Sequence, residues 1–505
     1  MAGAEAQLAA SGKSSGKGSS VGSRQAWLAR AGRALDRAVF FSLLGLIVLT
    51  AVPYGTVEPW WIALFECAVF VLTACWLVEG WLSGSWHLGD SLILFPLLCL
   101  AAFAYIQTLP VLGTDQEAGG IHSTLWRAIS ADPYSTRQFV VKLLAFVLVG
   151  QLLMRYVSNK GRVRTLIYVI IGVGVVSAIY GLLRQTMQHT PGFILPHVWP
   201  GVGYGQFINR NHFAYLMEMS LGLVLGLIFG GRTSLARTLI CVAVGLPMWT
   251  ALILSNSRGG IFSMSSQVLF VFLIKGFWPG RGSLREPRET VKRQPRVSRS
   301  RVLIASCLVV FLLIGVFLVG GDSLVERLES LPGEVGKEAQ VTDGGIHRAA
   351  LWRATWQLIK DHPVTGIGFA GYWVAIPGYD HASGRLMPQQ AHNDYLEFAA
   401  SGGVIGIALA IWFMVMLIAR VRRRLLFANN TFSRVASLGA LVGLLGVGLH
   451  SFVDFGLHIT INALVFTGLI AIAIGKGRFD QEPDKGRDLW PRERSAPQVV
   501  TRSRA

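Results

Sequence analysis

Charge is scarce in this chain. Only 15% of its 505 residues are Asp, Glu, Lys or Arg, against about 25% in an ordinary soluble protein. Cysteine is scarce too. The five present (Cys67, Cys75, Cys99, Cys241 and Cys307) all sit inside apolar blocks, with no CxxC pair, which excludes a disulfide framework and a structural zinc site. No HExxH or comparably close ligand pair occurs among the histidines of the long polar stretch, His347, His362, His381 and His392, so no metal and no cofactor are expected. The first 24 residues are rich in Ala, Gly and Ser and lack an apolar core. They are therefore not a signal peptide, and a disordered basic tail is expected there. No repeat of fixed period is present.

Apolar residues fill the space that charge leaves. They make up 52% of the chain, mean hydropathy is +0.49, and they fall in blocks of roughly 18 to 22, long enough for a bilayer core of about 30 Å. Lipid offers no partner to an open amide, so such blocks must be helical. The expectation is an all-α polytopic membrane protein with about 12 spans, near 38–56, 60–80, 91–108, 139–155, 165–183, 214–230, 238–255, 261–278, 302–320, 400–419, 435–453 and 459–475. A partly helical extracytoplasmic cap is expected at 321–399, between spans nine and ten. Basic tails cover 1–37 and 476–505.

The net charge of +18 would suggest nucleic acid on a soluble protein, but topology explains it more simply. With both termini cytoplasmic, 34 of the 46 Lys and Arg fall on the inner side. The runs at 281–301 and 420–424 are then topology determinants that would also meet anionic headgroups, and no nucleic-acid partner is expected.

The polar residues at the expected outer face carry the chemistry. The stretch "GQFINRNHFAYL" (205–216) puts Arg210 between Asn209 and Asn211, just before span six. In the tight turn "LILSNSRGGIF" (252–262), Arg258 precedes Gly259 and Gly260. A third stretch, "QQAHNDYLEFAASGGVIG" (389–406), places His392 and Asn393 at the entrance of span ten. Guanidinium forks match phosphate oxygens bidentately, so a lipid-linked diphosphate is a natural partner for Arg210 and Arg258. His392 is the candidate general base. In "LHSFVDFGLHITIN" (449–462), His450 and Asp454 stand four apart, and the simplest expectation is that they neutralise each other and fix helix packing. Glu66 in span two and Glu218 in span six are ambiguous in the same way.

These residues resemble a known family, the O-antigen ligase and O-antigen polymerase superfamily. Its pattern is Arg-x(3)-Trp, then Pro and Gly-x-Gly, then His-Asn, then Gly-x-x-Gly. Here Arg348 and Trp352, Pro363, Gly366 and Gly368, His392 and Asn393, and Gly403 and Gly406 match it in that order. The "FINRNHFA", "SNSRGG" and "HSFVDF" stretches also look like its elements, and the likeness covers roughly residues 125 to 460.

The resemblance implies a glycosyltransferase of the bacterial inner membrane with its active site facing the periplasm. Its donor would be an undecaprenyl-diphosphate-linked glycan, and its acceptor a lipid, glycan or protein hydroxyl. Arg210 and Arg258 would hold the diphosphate and His392 would activate the acceptor, in metal-independent transfer with inversion. Arg348, Asn211, Asn393, His450 and Asp454 are secondary candidates. A polymerase and a protein O-oligosaccharyltransferase share that chemistry. A secondary transporter or flippase is the rival of another class. It would place its large loop in the cytoplasm after span six, whereas here the long polar stretch is expected outside, after span nine.

Overall fold

The computed structural model describes residues 15–84, 91–118, 121–187, 195, 197–198, 202–231, 234–277, 348–380, 388–428 and 430–475. In chain order, helix α1 is Ser15–Thr50, α2 Pro59–Ser83, α3 Phe95–Ile106, α4 Pro133–Tyr156, α5 Lys160–Met187, α6 Arg210–Phe229, α7 Leu235–Leu254 and α8 Arg258–Phe277. There follow α9 Arg348–Asp361, the short α10 Tyr372–Ala375, α11 Asp394–Phe427, α12 Thr431–His450 and α13 Thr460–Ile474. Helices α2, α4, α5, α6, α7, α11 and α12 are long and apolar enough to cross a membrane, and α3, α8 and α13 are shorter apolar helices. With α1 they fall on the expected spans, except the one at 302–320, which lies outside the described residues.

Two features depart from the sequence expectation. Helix α1 begins at Ser15, so the second half of the expected tail continues the first span. Its "RQAWLARAGRALDRAV" is made of good helix formers, which explains the continuation. Between α3 and α4 the chain forms an antiparallel hairpin, β1 Pro110–Ala118 with β2 Ile121–Ala128. Nothing in the span pattern signalled it.

Helices α6 and α12 form the centre. Of α6, 94% of the apolar window is buried inside the protein, and of α12, 72%. They meet along two small-residue seams, Gly222 and Gly226 on α6 facing Gly443 and Gly439 on α12. A Cβ on either α6 glycine would collide with the α12 backbone. Without a hydrophobic drive inside lipid, such close backbone approach is what holds helices together. The pair places the start of α6, at Asn211, against the turn just past His450 at the end of α12.

Turns expected on opposite sides of the membrane gather at opposite ends of the bundle. At one end Ile461 donates its amide to Gly55 O (3.2 Å) and Thr460 Oγ1 donates to Thr56 O (2.7 Å). At the other, Glu79 accepts from Arg155 (2.9 Å) and from the Tyr156 hydroxyl (2.6 Å), and Arg162 pairs with Asp36.

Candidate active site

Each of the three polar stretches turns out to be a helix start. Asn209 caps α6, accepting from Asn211 N (2.8 Å). Ser257 precedes α8 and accepts from Gly260 N (3.2 Å). Asn393 caps α11, accepting from Tyr395 N (3.0 Å) and Leu396 N (3.1 Å). Asn and Ser side chains are preferred there because they satisfy amides that the first helical turn leaves open. Asn393 therefore has a structural task beyond its place in the family pattern. His392, one residue earlier, has φ +50°, a left-handed conformation uncommon outside glycine.

The stretches converge on one buried carboxylate, Asp454. Its Oδ2 accepts from Asn211 Nδ2 and lies 3.8 Å from Arg348 Nη2. Its Oδ1 accepts from Phe455 N (2.9 Å) and lies 3.7 Å from His392 Nδ1. Asn211 in turn accepts from Ser257 Oγ (2.8 Å). A hydrogen-bonded chain thus runs Ser257–Asn211–Asp454, with His392 3.7 Å beyond it, the four residues coming from segments far apart in sequence. Burial alone would raise the Asp454 carboxyl. The His392 and His212 rings, the Phe455 amide and His450 outweigh it and hold the group well below the usual carboxylate range.

A cap closes over this centre. From α9, Arg348 Nη1 donates to Val453 O (2.9 Å), so the arginine faces the Asp454 turn. One helical turn on, Trp352 Nε1 donates to Ala391 O (3.0 Å), fixing the residue before His392. The chain then crosses α11. Ile367 N donates to Ala400 O (2.9 Å), Gly368 N to Ser401 O (3.0 Å), and Val404 N to Pro363 O (2.9 Å). That crossing interrupts the helix at Gly403, whose φ is +55° and ψ −159°. A Cβ at Gly403 would strike the Val364 carbonyl, and one at Gly366 the Ser401 carbonyl. Gln107 Nε2 ties both strands of the crossing, donating to Thr365 O (2.7 Å) and Ser401 O (3.0 Å).

His392, Asp454, Asn211 and Arg348 come together. Arg210 and Arg258 flank them. Each adjoins a member of the chain, Arg210 beside Asn211 and Arg258 beside Ser257, and the 2.8 Å bond between those two holds the helix starts side by side. Arg210 is half-buried and Arg258 exposed. The expected His450–Asp454 pair is not what forms. Asp454 serves the outer network, while His450 Nδ1 lies 2.7 Å from Glu218 Oε1, both groups fully buried. The reason is that α12 ends at His450 and the chain turns, so a helical four-residue spacing no longer applies to Asp454.

Sequence reasoning overlooked Ser257's side chain as a link, and Phe455. The Phe455 ring meets His392 edge-on at 5.0 Å and His212 at 4.8 Å. The "VDF" triplet offered an aromatic beside the acid, but only the turn brings it against imidazoles.

A search of curated proteins found no match to the chain. Residues 243–411 match the family model described as O-antigen ligase. That region holds Arg258, Arg348 and His392, while Arg210, Asn211 and Asp454 lie outside it. The match supports membership of the O-antigen ligase superfamily.

Proposed function

We propose that the protein transfers a glycan from undecaprenyl diphosphate to an acceptor hydroxyl at the periplasmic face of the bacterial inner membrane. The observation that carries this reading is the convergence of His392, Arg348 and Asn211 on the buried Asp454, with the starts of α6 and α8 tied alongside.

His392 Nδ1 faces the Asp454 carboxylate, which favours the tautomer protonated on Nδ1 and leaves Nε2 to take a proton. Their 3.7 Å separation is longer than a hydrogen bond. Such contacts commonly tighten only when substrate binds. The acceptor O–H gives its proton to Nε2, and the oxygen attacks the anomeric carbon. The bond from that carbon to the diphosphate oxygen breaks, its electron pair leaving with undecaprenyl diphosphate. A single displacement inverts the anomeric centre. Arg210 and Arg258 grip the diphosphate and stabilise the charge that develops on it, without reorganising. The helix starts behind them add partial positive charge. A lipid-borne diphosphate lies at the membrane surface, so catalytic groups belong where spans meet the cap. Ligase, polymerase and protein O-oligosaccharyltransferase differ in the acceptor delivered to this centre.

The test is donor binding and glycan transfer in vitro for Arg210→Ala, Arg258→Ala and His392→Ala, with and without EDTA. The arginine variants should weaken both binding and transfer. His392→Ala should bind donor and fail to turn over, and EDTA should change neither. Full activity in His392→Ala, or transfer abolished by EDTA, rejects the mechanism.

A further inference from the structure

The mechanism above leaves one buried ionisable pair unused. His450 and Glu218 are 1% and 0% exposed, deep in the α6–α12 seam. His450 Nδ1 meets Glu218 Oε1 at 2.7 Å, and Ser263 Oγ donates to Glu218 Oε2 at 2.9 Å. The Tyr215 ring stacks on the imidazole, centroids 4.2 Å apart and planes at 18°. The ring is thus clamped on its edge and on its face.

Its far edge touches the functional segments. A Cβ on Gly259 would lie 2.5 Å from His450 Nε2 and 2.6 Å from Cδ2, closer than real Cβ atoms approach anything. The first turn of α8, which begins with Arg258, therefore rests directly on the imidazole, and only glycine fits. The backbone of the same histidine starts the turn that carries Asp454. Its carbonyl accepts from Val453 N (2.9 Å) and Asp454 N (3.2 Å).

We infer that His450, locked by Glu218, is a positioning residue for donor binding: its ring is the seat that registers the Arg258 turn against Asp454 and His392. The inference rests on the reading of Arg258 as a diphosphate ligand. It explains why a membrane protein keeps a desolvated imidazole–carboxylate pair where packed apolar side chains would serve stability as well. A guanidinium fork binds bidentately only from a defined position, so a seat displaced by about an ångström loses a large part of the contact.

The test is a coupling cycle on the full chain. Gly259→Ala puts a methyl into the ring. It should raise the donor Kd at least tenfold, and kcat should fall with it, because Arg258 also stabilises the charge on the departing diphosphate. The paired change Glu218→Gln and His450→Ala removes ring and charge together and keeps a hydrogen-bonding group for Ser263. In that background Gly259→Ala should cost less than threefold in donor Kd, since the methyl then has room. Equal costs in the two backgrounds, or normal donor binding by Gly259→Ala alone, overturn the inference. If Gly259→Ala cannot be purified folded, it must become so in the paired background, and failure in both overturns the inference equally. Arg258→Ala is the control for the underlying reading. Should it bind donor normally, the diphosphate assignment fails. Should it bind poorly while the cycle shows no coupling, only the seat fails.

Discussion

Asp454→Asn is the sharpest probe of the site. The substitution keeps shape and one oxygen, so Phe455 N retains its acceptor and the turn should hold, while Asn211 Nδ2 loses the second oxygen it donates to. What goes is the negative charge 3.7 Å from His392 Nδ1. At an effective dielectric of about 20, a full charge at that distance is worth roughly 4.5 kcal/mol. That figure is a ceiling, because the His392 side chain is 23% exposed and solvent screens part of it. Hydrogen bonds to charged groups are worth about 1.5–3 kcal/mol, or roughly 10- to 150-fold in rate. The imidazolium exists only after proton transfer, so the loss belongs in kcat. Donor affinity should stay within threefold. The assay is titration with a labelled polyprenyl-diphosphate glycan, followed by single-turnover transfer. Wild-type turnover would show that Asp454 does not support the base. A donor Kd that rises in step with the loss of rate would make Asp454 a scaffold for the arginines instead.

The same carboxylate makes a pH prediction. Its folded pKa lies below the unfolded value. Its contribution to stability is therefore fully present above about pH 4 and is lost only as pH falls through the depressed folded pKa. The stability difference between wild type and Asp454→Asn should narrow as pH falls below about 4, and a difference already gone at pH 5 would contradict the depressed pKa. Arg210→Lys and Arg258→Lys should each lose roughly 100- to 1,000-fold in transfer, about 2.7–4 kcal/mol by analogy with other anion-stabilising donors. Near-normal transfer would reject bidentate binding. Trp352→Phe removes the donor to Ala391 O together with part of the ring's volume, so it should cost at least about 0.5–1.5 kcal/mol of stability and a few-fold in kcat. An unchanged melting temperature and rate would demote that bond. Cysteines introduced at Thr290 and Gln340 in a cysteine-free background should be labelled from opposite sides of the membrane, the latter from outside. Labelling from one side would break the topology and move His392 away from the donor.

The fold was legible where a single physical constraint dominates. A bilayer permits only internally bonded backbone, so apolar runs translate directly into helices, and α2, α4 and α12 fall close to where hydropathy puts them. The misses are of another kind. The α1 extension rises out of the apolar run on helix propensity alone, which a hydropathy count ignores. The 110–128 hairpin depends on cross-strand pairing, and its polar sequence shows little alternation. The break at Gly403 sits inside an uninterrupted apolar run and exists because 363–368 crosses the helix there. That is a tertiary cause, visible beforehand only as a glycine pair.

The site divides the same way. Residue type marked His392, Arg210 and Arg258 as candidates, because an imidazole and two guanidiniums at span entrances are costly and few. Partnership was not announced. Asp454 and His450 looked like a helical pair at a spacing of four, and the end of α12 between them sent one outward to His392 and the other inward to Glu218. One helix terminus thus separates two roles that the sequence shows as one motif. At one end stands a carboxylate that the proposed mechanism uses, with partners drawn from α6, α9 and the loop before α11. Buried behind it stands an imidazole to which we assign register, with partners drawn from α6 and α8. A substitution at either residue should therefore read out differently, in turnover alone for Asp454 and in donor affinity as well for His450, although the two stand four residues apart.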